Sequence, residues 1–121
     1  INDISGASLA SSLVTLPIGV YEIEACMQGF VTASAGENYA CCRIFNVTDS
    51  VVAIFGVPNS IVASGGGAVS NRYSFGVRGR ITIAAPKQFA LQFFTNNSPT
   101  RCTPISQGTE VYSDIWIKKV G

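Results

Sequence analysis

The sequence contains no histidine. That removes every Ser-His-Asp and Cys-His mechanism and every histidine metal ligand. Charge is scarce as well. Only 12% of residues are charged, about half the share of an average soluble domain. Eight Lys and Arg stand against seven Asp and Glu, for a net charge of +1. No basic excess exists to release counterions from nucleic acid, so that partner is not expected. No apolar run approaches 18 residues, so no helix is expected to insert in a membrane. No C-x-x-C spacing suggests zinc and no D-x-D-x-D-G loop suggests calcium, so neither metal nor other cofactor is expected. Gly65 to Gly67 lacks the Lys-Ser and helix of a phosphate loop.

Leucine is the other scarce residue, with four copies against twelve Ile and twelve Val. β-branched side chains fit a pleated surface, so the bias is all-β. The 121 residues are enough for one domain that folds without staples. Ser, Thr and Asn number 28 against 15 charged residues. Such a surface is wetted by hydroxyls and amides, and its low charge also suits burial against a partner.

Alternation and turn signals mark seven or eight strands and no helix. They run over 12–16, 20–28, 39–47, 51–57, 71–83, 88–95 and 110–120, with loops over 32–38, 64–67 and 96–108. This pattern calls for an antiparallel β-sandwich, a jelly roll or a barrel. Residues 1–11 read as a linker from an upstream shaft or domain, and 12–121 as the domain itself, sitting near the C-terminal end of a larger protein. Val111, Ile115 and Ile117 share one face of the last strand; Tyr112 and Trp116 share the other. Both faces therefore need cover, from a second sheet or from a neighbouring subunit.

Few residues offer chemistry. Cys41 and Cys42 are adjacent in a strand and point to opposite faces. With Cys26 and Cys102 they are expected as free thiols, the alternative being one bridge from Cys26 to one of the pair. Glu22 and Glu24 share a strand face. Such a pair could do acid–base work on a glycan, but a solvated face is the preferred reading. Arg72, Arg78 and Arg80 share one parity and are expected to pair with Glu22, Glu24 or Asp114. Asn46-Val47-Thr48 and Asn96-Asn97-Ser98 match the glycosylation pattern, which is common by chance.

Three segments stand together: Leu16-Pro17-Ile18-Gly19-Val20-Tyr21, then Arg43-Ile44-Phe45-Asn46-Val47-Thr48-Asp49, then Glu110-Val111-Tyr112 leading to Ile115-Trp116-Ile117-Lys118. In this order they are similar to C-terminal head domains of tailed-bacteriophage tail fibres. Those folds resemble the jelly roll of the C1q and tumour-necrosis-factor group, and Gly19-Val20-Tyr21 resembles the strand start of C1q heads. Cys41-Cys42 and the lack of histidine depart from the pattern. The resemblance implies a trimeric jelly roll in the virion tail, a non-enzymatic adhesin that meets a bacterial surface carbohydrate, lipopolysaccharide or protein receptor. On that reading the candidate receptor residues are Asn96, Asn97 and Arg101 in the longest polar loop, then Asn59 and Ser60. Tyr112 and Trp116 are the candidate subunit contact. The alternatives are a trimerisation knob with no ligand and a secreted C1q-like ligand.

Overall fold

The computed structural model describes residues 4–33, 36–63, 69–95 and 113–121, with side chains over 4–28, 39–60, 74–93 and 113–121. The described residues form nine strands and no helix: β1 (Ser8–Ala10), β2 (Leu13–Leu16), β3 (Gly19–Ala33), β4 (Gly36–Asn46), β5 (Val51–Phe55), β6 (Asn59–Ala63), β7 (Val69–Ile83), β8 (Lys87–Thr95) and β9 (Ser113–Lys119). All pairings are antiparallel. One sheet has the order β1-β2-β8-β4-β5, with β6 also on β4; the other has the order β7-β3-β9. The expected all-β, antiparallel architecture is therefore present.

Period-two alternation decides which face of each strand is dry. On β3, Tyr21, Ile23 and Ala25 are buried while Glu22, Glu24 and Cys26 are exposed. On β7, Phe75, Val77, Ile81 and Ile83 point inward. They meet Leu16, Ala40, Cys42, Ile44 and Phe89 from the first sheet in one core, the layering of a β-sandwich. Phe75 sets its ring edge-on to Phe93, with centroids 5.1 Å apart.

The pairings are nested. β4 pairs with β5 and β6, β3 with β7, and β2 with β8, each pair enclosing the one before in sequence. β2 to β8 thus pair as a ribbon folded back on itself, with β4 also meeting β8, while β1 adds to β2 and β9 to β3.

Local chemistry explains the turns. β1 and β2 join through Ser11 and Ser12, whose φ values of 51° and 63° are those of a two-residue hairpin turn. Residues 8–10, inside the segment expected as a linker, form β1, and Ile4 and Ala7 pack on the core. The Tyr21 hydroxyl donates to the Pro17 carbonyl at 2.8 Å. Asn46 is buried; its amide donates to Asp49 at 2.8 Å and its oxygen accepts the Asp49 N–H at 3.0 Å. Lys87 also binds Asp49, and its hydrogen bond holds the Asp49 carboxyl below the usual carboxylate range. The Asn46-Val47-Thr48-Asp49 segment is therefore a locked turn, and the Asn46 amide is committed to it rather than offered for glycosylation.

Three further sequence expectations differ from the structure. Most of the expected loop over 32–38 is strand, since β3 runs to Ala33 and β4 starts at Gly36. Those small residues carry no hydrophobic pattern, but the ladder partners on β7 and β6 continue past them. β6 had no signal beyond the turn at Pro58-Asn59. The expected strand over 51–57 ends at Phe55, because the edge breaks at Gly56-Val57-Pro58 before resuming as β6.

That break is a tight contact. The Gly56 N–H donates to the Cys42 carbonyl at 2.9 Å. A Cβ on Gly56 would fall on that same oxygen and 2.7 Å from the Gly76 oxygen, whereas one on Gly76 would meet nothing within 4 Å. Gly56→Ala should therefore cost about 1–3 kcal/mol by overpacking. Gly76→Ala should stay within about 1 kcal/mol of the wild type. Urea unfolding midpoints of the two variants check this; equal midpoints would contradict it.

Candidate functional site

β3 is the middle strand of its sheet, so cross-strand rows run over its outer face. Trp116, Glu24 and Arg78 form one row from β9 to β7; Asp114, Cys26 and Gly76 form the next. Glu22 lies opposite Arg80 and Lys118 in a third. Gly76 brings no side chain to its row. Beside it, Phe55, Val57 and Asn59 from the corner between β5 and β6 line the far wall of a groove of about 630 Å³. That volume falls within the range of small-ligand sites, about 300–1,000 Å³. A second depression of about 200 Å³ is lined by Glu22, Glu24, Arg78, Trp116 and Lys118. Trp116, Glu24 and Arg78 line both, so that row is their shared ridge.

Three large apolar side chains stand in water around this groove: Phe55 at 73% exposure, Val57 at 76% and Trp116 at 72%. The Trp116 indole N–H donates to Asp114 Oδ2 at 2.9 Å, which fixes the ring in orientation. The Arg80 guanidinium donates to Glu22 Oε1 at 2.6 Å, and this hydrogen bond and its charge hold the Glu22 carboxyl below its usual range. Arg78 and Glu24 approach more loosely, at 3.9 Å. Arg78 and Arg80 thus pair with Glu24 and Glu22, while Asp114 is taken up by Trp116; the Arg72 side chain lies outside those described.

Among the described residues, no three metal-ligating side chains come together, and no helix is long and apolar enough to cross a membrane. Cys26, Cys41 and Cys42 carry free thiols. Cys26 is exposed and lines the groove. The Cys42 thiol is buried, donates to the Phe75 carbonyl at 3.1 Å and is pushed up to about 11 by burial. Cys102 lies outside the described residues.

The residues expected for a receptor scatter. Asn96, Asn97 and Arg101 lie outside the described residues, as does Tyr112. Asn59 lines the groove and Ser60 is its exposed neighbour. Trp116, expected at a subunit contact, lines the same groove as Asn59. Phe55, Val57 and Gly76 were not expected at a site, and Cys26 was expected only as a thiol. Only Gly76 carried a sequence signal, a glycine at the outward parity of Arg78 and Arg80 in an otherwise side-chain-bearing row. A scan against protein-family models finds none that matches, and a search of curated proteins returns no match.

The thiols make a direct check on this geometry. At pH 8 a thiol with its pKa near 11 is ionised in only about one molecule in a thousand, and the thiolate is the nucleophile. Brief iodoacetamide treatment of the native protein should label Cys26 and leave Cys42 unmodified, read by peptide mass spectrometry. Labelling of Cys42 as fast as Cys26 would contradict the described packing.

Proposed function

We propose that the chain is a non-enzymatic receptor-binding head, the jelly-roll tip of a tailed-phage tail fibre, assembled as a trimer and directed at a bacterial surface receptor. The observation that carries the reading is the outer face of the β7-β3-β9 sheet. There, an oriented and exposed tryptophan stands beside hydrogen-bonding groups in a groove open to solvent. Such a surface recognises and releases; it does not need to convert.

Two further observations support it. The nested pairings of β2 with β8, β3 with β7 and β4 with β5 and β6 are what a jelly roll would need. The one carboxylate pair with a claim to acid–base work, Glu22 and Glu24, is matched by Arg80 and Arg78. Glu22, held below its usual range by Arg80, is a poor proton donor near neutral pH.

A second reading is a trimerisation knob without a ligand. The exposed Phe55, Val57 and Trp116 favour it, since an apolar patch on a low-charge surface also suits a subunit contact.

The fluorescently labelled domain should stain a subset of bacterial strains, and periodate oxidation of the cell-surface glycans should abolish the staining. Light scattering should give a particle of three 12.7 kDa chains. Incubation with the stained cells should release no soluble saccharide, from the wild type or from Glu22→Gln. A trimer that stains no strain supports the knob; saccharide release that Glu22→Gln abolishes supports an enzyme.

A further inference from the structure

We infer that the paired depressions on either side of the Trp116, Glu24 and Arg78 row are a binding site for an uncharged oligosaccharide, with one sugar ring stacked on the Trp116 indole. The inference rests on the receptor-binding reading and gives that reading its ligand class and its place. It assigns Trp116 to a ligand, where the sequence pointed to a subunit contact.

The argument is one of matching chemistry. A pyranose ring has C–H faces and a rim of hydroxyls, so its site needs an aromatic surface with donors and acceptors around it. Trp116 supplies the surface, and its hydrogen bond to Asp114 holds it ready. Carboxylates at Asp114 and Glu24 accept; the Asn59 amide and the Arg78 guanidinium donate, and all four line the same groove. Phe55 and Val57 add apolar contact on the opposite wall.

Charge narrows the class. The depressions are lined by three carboxylates, Glu22, Glu24 and Asp114, and two cations, Arg78 and Lys118; Arg80, outside the lining but bound to Glu22, brings the charge of the face to balance. A polyphosphate or a sulfated glycan would find no positive surplus, and a polycation would find no negative one. The two depressions are contiguous at the Trp116 row, so the site is a strip rather than a pit. A strip suits several linked rings.

Gly76 makes the site testable without disturbing the fold. It lines the groove, and a Cβ there would meet nothing within 4 Å. Gly76→Leu therefore fills the groove and leaves the core untouched; its melting curve serves as the check on folding. Trp116 is the only tryptophan in the chain, so its emission reports the site directly.

The wild-type domain is titrated with an array of uncharged hexose, deoxyhexose and N-acetylhexosamine oligosaccharides, maltohexaose and cellohexaose among them. Heparin hexasaccharide and a chitosan hexamer are the anionic and cationic controls. The expected result is a saturable change in Trp116 emission with at least one uncharged oligosaccharide and with neither control. Gly76→Leu, and Trp116→Ala followed by calorimetry, should each bind that oligosaccharide at least about tenfold more weakly. No response across the uncharged array overturns the inference, as does a response confined to a charged control or equal binding by Gly76→Leu. An emission shift that follows protein concentration alone, together with a rise in mass, overturns it in favour of a second copy of the chain. Cell staining separates the two levels: staining that persists in Gly76→Leu overturns the groove and keeps the receptor-binding reading, and a wild type that stains no strain removes both.

Discussion

The hydrogen bond from the Gly56 amide to the Cys42 carbonyl is the contact on which the functional face depends. It is possible only because Gly56 has no side chain, and it pulls the corner between β5 and β6 against β7 at Gly76. The inner consequence is packing. On the next inward turn of β7, a Cβ on Gly79 would lie 2.9 Å from the Ile54 side chain, so β5 and β7 approach closely there too. The outer consequence is the groove, since the same corner carries Phe55, Val57 and Asn59 to the outer face of the opposite sheet. One backbone contact thus links the core of the sandwich to the wall of its candidate site.

The two faces of β3 divide the labour between stability and recognition. Its inward residues, Tyr21, Ile23 and Ala25, are almost fully buried. Each contributes by leaving water, worth up to about 1.5–3 kcal/mol for a large apolar side chain. Its outward residues face solvent, and the ion pairs Glu22–Arg80 and Glu24–Arg78 are exposed. Pairs of that kind add little to stability. Their more useful effect is local: they cancel charge across the face and leave polar groups in fixed positions beside Trp116.

Much of this was legible in the sequence, and the limit has a physical cause. The alternation of β3 and β7 is encoded residue by residue, so both strands, their buried faces and the pairing of Arg78 and Arg80 with glutamates could be read from spacing. The Asn46-to-Asp49 turn is equally local. What could not be read is which strands become neighbours. Trp116 stands beside Glu24 only because β9 pairs with β3, some ninety residues earlier in the chain. Asn59 reaches the same groove only through the break at Gly56. Such pairings are decided by packing of the whole sandwich and leave no trace in a short window of sequence. The extension of β3 and β4 through small residues has the same origin, because a paired neighbour can hold a segment that has no pattern of its own.

The nested pairing also orders the cost of forming the fold. The innermost pair, Asn46 with Val51, closes a loop of only a few residues. The pair of Gly19 with Ile83 spans most of the domain, and Leu16 with Lys87 spans more. Loop-closure entropy rises only by about 0.6 kcal/mol for each doubling of length, so a short loop already in place makes the next closure shorter in effect. The ribbon is therefore cheapest to assemble from its tip outward, with the hairpin of β4 and β5 as the first turn of the roll. A chain dominated by such distant partners belongs among the slow folders, and its strands spend time with open edges before the outer pairs close over them.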